Sequence, residues 1–134
     1  MDEWLHSILP RIASGELLPP AYFATLDCDS ALDARDSDPE FEANWLQATK
    51  EVEAMWSALK VPPATYATAE DIRRESFLAV SRATKQHEIA SYVSDDFELI
   101  THARIVESPS PFVEQLWAAY DSGLFPVPQA GSAE

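Results

Sequence analysis

The chain has 134 residues, 46% of them hydrophobic, which is enough for one ordinary core and too little for two comfortable ones. Nine basic residues stand against 23 acidic ones, a net charge of -14. That field repels phosphate backbones, which argues against a nucleic-acid partner, and it attracts and steers basic proteins.

Asp2 to Ile12 puts Trp4, Leu5, Ile8 and Ile12 on one face, a short amphipathic helix that Pro10, with no amide hydrogen to donate, should kink or end. The opening Met1-Asp2-Glu3-Trp4 lacks the basic and apolar regions of a secretory signal. No apolar run approaches the length of a membrane span, so no membrane association and a cytoplasmic location are expected. Gly15 and Pro19-Pro20 mark a break, and Ala21 to Leu26 is an apolar run that reads equally as extended chain or a helical turn.

From Asp27 to Glu42, seven acids (Asp27, Asp29, Asp33, Asp36, Asp38, Glu40 and Glu42) face a single base, Arg35. Such a density of one sign must be solvated or matched by a partner. The stretch from about 27 to 38 reads as an acidic loop whose Asp and Ser side chains form turns and cap the next helix. Its seven acids are the candidate surface for a basic protein. Ala21 to Asp29 superficially resembles the nucleophile loop of haloacid-dehalogenase-type phosphatases, in which the first aspartate attacks phosphate at the end of a strand. The resemblance covers only that run, and no alternating strand-helix pattern follows to build the fold. Nor does Asp27-Cys28-Asp29 open a calcium loop, because Leu32 occupies the position that needs glycine. Cys28 is the only cysteine, which excludes an intrachain disulfide and fits a reducing compartment. Asp27 and Asp29 beside it disfavour its thiolate.

Asp38-Pro39 reads as an N-cap followed by proline at the first helical position, where the missing amide costs nothing. In the helix it opens, Phe41, Trp45, Ala48, Val52, Met55, Trp56 and Leu59 fall within an arc of about 100°, a stripe expected to fill the core. Pro62-Pro63 stops it. Thr68 is the expected cap of the next helix, which runs to about His87 and carries Arg73, Arg74, Arg82 and Lys85, placed to pair with acids of its neighbours.

Ser94 reads as the cap of the following helix, with Asp95 and Asp96 as first-turn acids. Val93, Phe97, Ile100 and Ala103 form its buried side. On the other side Asp95, Glu98 and His102 share an arc of roughly 60°. Imidazole can bind zinc or shuttle protons while carboxylates orient it, so these three are the candidate catalytic residues of an alternative reading, a metal-dependent hydrolase. The competing reading is a first-turn acid beside an ordinary surface pair. His87-Glu88 lacks the second histidine of the zinc-protease helix motif, and three glycines leave no GxSxG, GxGxxG or P-loop pattern. No cofactor or firm metal site is expected, and catalysis has no positive support.

Ser110-Pro111 repeats the cap-plus-proline start, and Phe112, Leu116 and Tyr120 line the last helix until Gly123, where Leu124 can fold back on its final turn. The expected architecture is all-α: one domain over residues 1–125, an irregular bundle of four to five helices, then a fraying tail over 126–134. Size, charge and the acid-rich segment point to an acidic protein-binding module, an inhibitor or immunity-type protein that neutralises a basic, nuclease-like partner. General properties carry this expectation; no motif does. A further alternative is a helical adaptor or homo-oligomer whose surplus apolar surface includes Leu46 and Trp117.

Overall fold

The computed structural model describes residues 2–128. Within them the chain forms helices α1 (Asp2–Ser14), α2 (Pro20–Thr25), α3 (Cys28–Asp36), α4 (Pro39–Ala58), α5 (Pro63–Thr84), α6 (His87–Val106) and α7 (Pro111–Asp121), and no strand. The all-α reading holds, with seven helices among the described residues where four or five were expected.

The starts follow from local chemistry. Proline stands in the first turn of α2, α4, α5 and α7, where its fixed φ suits a helix and its missing N–H leaves nothing unsatisfied. Asp27, Asp38 and Ser110 cap α3, α4 and α7, accepting the amides of Ser30, Phe41 and Val113 at 3.1, 2.9 and 3.2 Å. Two other starts lie upstream of the expected caps. Helix α5 opens at Pro63, so Thr68 is interior and its hydroxyl donates to the Ala64 carbonyl. Helix α6 opens at His87, directly after Lys85 turns the chain with φ 60°, so Ser94 is also interior and donates to the Ser91 carbonyl at 3.0 Å. In both cases a Ser or Thr satisfied by its own helix carries the same residue signal as a cap.

The acid-rich loop expected near 27–38 is helix α3. Cys28, Ala31, Leu32 and Arg35 recur at helical spacing and are all buried. Helix α1 runs through Pro10, which is exposed, and continues to bury Ile12. At the other end Leu124 donates its amide to the Ala119 carbonyl but leaves its side chain half exposed, while Phe125 and Pro126 are buried. Of the tail expected to fray, 129–134 lie outside the described residues.

Helices α5 and α6 pair along their lengths as a hairpin, with α1 and α2 packed on α5 and α4 and α7 on α6. All seven helices contribute to one apolar core. Helix α6 runs through its middle: Ile89, Ala90, Val93, Phe97 and Ile100 have no exposed surface.

Candidate functional site

The carboxylate that the fold uses most fully is Asp96, which is completely buried. Its Oδ2 accepts from Arg35 Nη1 at 2.7 Å and from the Tyr120 hydroxyl at 2.6 Å; its Oδ1 accepts from Arg35 Nη2 at 3.0 Å and Trp45 Nε1 at 2.8 Å. One acid of α6 therefore ties down α3, α4 and α7. The rings of Phe41, Phe125 and Tyr92 surround the Arg35 guanidinium at 4.7, 5.1 and 5.4 Å. Burial works against the Arg35 charge, yet the charge and hydrogen bonds of Asp96 outweigh it and hold the guanidinium pKa above its ordinary value. Burial, and then the nearby Asp96 charge, push the Tyr120 phenol far up, so it stays a donor. With about four lone-pair positions taken by four donors, Asp96 has no capacity left for a ligand. It is a structural acid, not the first-turn acid its position after Ser94 suggested.

Asp95, one residue earlier, is half exposed. It lines a groove of about 280 Å³ between α4 and α6 with Trp45, Glu53, Trp56, Glu98 and His102. This is where the three candidate catalytic residues come together. The His102 ring stacks on the Trp56 indole, centroids 3.7 Å apart and planes at 8°, and burial lowers its pKa to about 4. It is neutral near pH 7. From α5 the Arg73 guanidinium approaches Asp95 at 3.8 Å and Glu98 at 3.7 Å, close enough for attraction but beyond a good hydrogen bond. Partial burial outweighs this attraction and raises the pKa of both carboxyls. Among the described residues no group of three or more His, Cys, Asp or Glu side chains is placed to hold a metal ion. The trio instead forms a carboxylate rim beside an aromatic wall.

A second hollow of about 210 Å³ lies beside the first, lined by Asp36, Phe41, Glu42, Leu46 and Tyr92, by the Arg35–Asp96 pair, and again by Trp45 and Asp95. Sharing Trp45 and Asp95, the two hollows adjoin as one trough that takes in Asp36 and Glu42 of the acid-rich segment and the His102 stack. The seven acids of that segment divide by role. Asp27 and Asp38 cap helices, and Asp36 accepts the Tyr92 hydroxyl at 2.6 Å, which pushes that phenol up to about 12. Asp29, Asp33, Glu40 and Glu42 are exposed and, among the described residues, enter no salt bridge or side-chain hydrogen bond. The one base of the segment is turned inward to Asp96, so the charges on the outer face of α3 are all negative. Cys28 lies beneath that face, its thiol pKa raised by burial and then by Asp29 and Asp27.

The family model for immunity protein PIM1 matches residues 7–127. The chain belongs to the PIM1 immunity protein family. No curated protein matches it. An immunity-type protein is what size and charge suggested, and membership of an immunity family suggests a partner protein. No helix among the described residues is long and apolar enough to cross a membrane.

Trp45 and Trp56 line the trough although periodicity assigned them to the core, and Arg73 approaches it only through Asp95 and Glu98. The tryptophans' stripe is real, but only Ala48 and Val52 are buried; Met55 and Leu59 stay 39% and 45% exposed. Of the two residues offered as surplus apolar surface, Leu46 is 57% exposed, whereas Trp117 is 9% exposed and packs edge-on against Trp4.

Proposed function

We propose that this PIM1-family chain neutralises a basic, nuclease-like protein toxin in the cytoplasm through its negative face, with Asp29, Asp33, Glu40 and Glu42 as the principal contacts and Asp27, Asp36 and Asp38 at their edge. The supporting observation is the inward turn of Arg35. It removes the only local cation from the surface and leaves exposed carboxylates without a structural partner. A nuclease must itself present cations to the phosphate backbone, so an acidic inhibitor competes for the same surface. Exposed charges of this kind act on encounter rate and specificity more than on stability.

The test is co-expression with toxins encoded beside the gene, followed by binding measurements on the one that is neutralised. Rescue of growth, an association rate that falls steeply with salt, and loss of both in Asp29→Asn/Asp33→Asn/Glu40→Gln/Glu42→Gln are expected. Salt-independent binding, or full rescue by the fourfold variant, would overturn the reading.

A further inference from the structure

The trough between α4 and α6 is not explained by an acid-to-base match alone, because its walls are aromatic. We infer that the groove formed by Trp45, Trp56, Glu53, Asp95 and Glu98 is a socket for a single arginine side chain of the partner protein. The inference rests on the partner being basic, as proposed above, and adds where its anchoring residue is held.

Three observations carry it. The groove, at about 280 Å³, is at or below the lower end of the range for small-molecule sites, a size for one long side chain rather than a helix or a base-paired duplex. Its composition matches a guanidinium on both counts: aromatic surface from Trp45 and from the Trp56–His102 stack favours a delocalised cation, and carboxylates from two helices can take its fork of N–H donors. A lysine ammonium would use the charge but not the stacking surface. The charge within the groove is also unbalanced. Glu53, Asp95 and Glu98 supply three carboxylates, His102 is neutral, and Arg73 is the one cation that pairs with any of them among the described residues, at distances too long for hydrogen bonds. Arg73 is 45% exposed and can swing aside.

The same facts choose between occupants. A second copy of this chain would bring its own net charge of -14 toward Glu42, Glu53, Asp95 and Glu98, so like charges oppose a homodimer at this face. A partner offering arginine meets complementary charge, since the neighbouring hollow adds Asp36 and Glu42 and its one lining cation, Arg35, is neutralised by Asp96. Arginine and tryptophan are also the residues that most often dominate interface energetics.

The experiment uses the whole chain and two probes, N-acetyl-arginine methylamide and its citrulline counterpart, which keeps the shape and loses the charge. In an NMR titration, the Trp56 indole N–H and the His102 ring protons are expected to shift with the arginine probe and to bind the citrulline probe about tenfold more weakly. The exposed double variant Asp95→Asn/Glu98→Gln should weaken arginine binding by a similar factor. The variant Asp29→Asn/Asp33→Asn/Glu40→Gln, which leaves the carboxylates of the trough in place, should leave it within about threefold. Equal response to the two probes, or an unchanged response in the double variant, overturns the socket. That failure would leave toxin neutralisation by the α3 face intact, whereas a normal arginine titration with no basic protein neutralised would overturn the wider reading instead.

Discussion

Asp95 and Asp96 are neighbours in sequence and opposites in the fold. Asp96 is fully buried and saturated by four donors from three other helices; Asp95 is half exposed, faces a loosely held guanidinium and has a raised pKa because of partial burial. A step of about 100° along α6 is all that separates them. The comparison teaches that in a chain this acidic, the acids that hold the structure and the acids free to bind a partner are distinguished by their surroundings and not by their density in the sequence.

The largest expected effect comes from breaking the buried member. Asp96→Asn keeps the side chain's shape but leaves the Arg35 guanidinium buried without its counter-charge and turns an acceptor into a donor facing other donors. Removing one partner of a buried ion pair typically costs about 3–5 kcal/mol. Urea denaturation should show a loss of that order, whereas Asp95→Asn should fall within about 0.5 kcal/mol of the wild type, as exposed substitutions usually do. Similar losses for the two variants would erase the distinction.

Tyr120→Phe is a gentler cut at the same cluster. It removes one of the donors to Asp96 and leaves the ring packed edge-on against Phe97, centroids 4.7 Å apart. A loss of about 1–3 kcal/mol is expected from one buried, charge-assisted hydrogen bond. A stability unchanged by this substitution would mean that the Arg35 and Trp45 contacts alone satisfy Asp96.

Much of the helical framework was legible in the sequence, and the places where it was not have physical reasons. Asp38-Pro39 and Ser110-Pro111 read correctly because a capping side chain followed by proline is a local signal that tertiary packing seldom overrides. Ser94 and Thr68 misled because a hydroxyl bonding its own helix presents the same residue as a cap. The burial of Arg35 and Asp96 was within reach: each falls on the apolar arc of its helix, Arg35 with Cys28, Ala31 and Leu32, and Asp96 with Val93, Phe97 and Ile100. A charge on an apolar face implies a buried partner, and these two are of opposite sign. What no local pattern could supply was that the α4 stripe outruns the core, so that Trp45 and Trp56 line an open trough. That depends on how α4 packs across α6, a tertiary relation that spacing within either helix does not carry.

The His102 stack offers a smaller effect, read through pH. In the folded chain its pKa is lowered to about 4 by burial, below the usual imidazole value near 6.5 in the unfolded chain. Between those values the unfolded state binds more protons, so stability is fully present above pH 6.5 and is lost as pH falls toward 4. Because the site is partly open to water, the loss is on the order of 1–2 kcal/mol. The raised carboxyls of Asp95 and Glu98 act in the opposite sense, since the folded state takes up their protons first, and both are too exposed to cancel it. Chemical denaturation from pH 7 to 4.5 should show a shallower decline in His102→Gln than in the wild type. Parallel curves would mean that the ring is hydrated rather than sealed against Trp56.

The smallest expected effect on stability falls on the surface proposed to carry the function. Asp29, Asp33, Glu40 and Glu42 have no bonded partner within the described residues, while the capping acids Asp27 and Asp38 do. Neutralising the first four should therefore change unfolding free energy by no more than about 0.5 kcal/mol, and upward if at all, because it relieves self-repulsion in a chain of net charge -14. Asp27→Ala and Asp38→Ala should each cost about 1 kcal/mol through the lost cap. The informative result is the pairing of the two measurements: a fourfold variant that unfolds like the wild type yet no longer protects against a basic toxin separates binding acids from structural ones within a single short helix and its flank. A fourfold variant that is markedly destabilised would place those acids with Asp96, as parts of the fold.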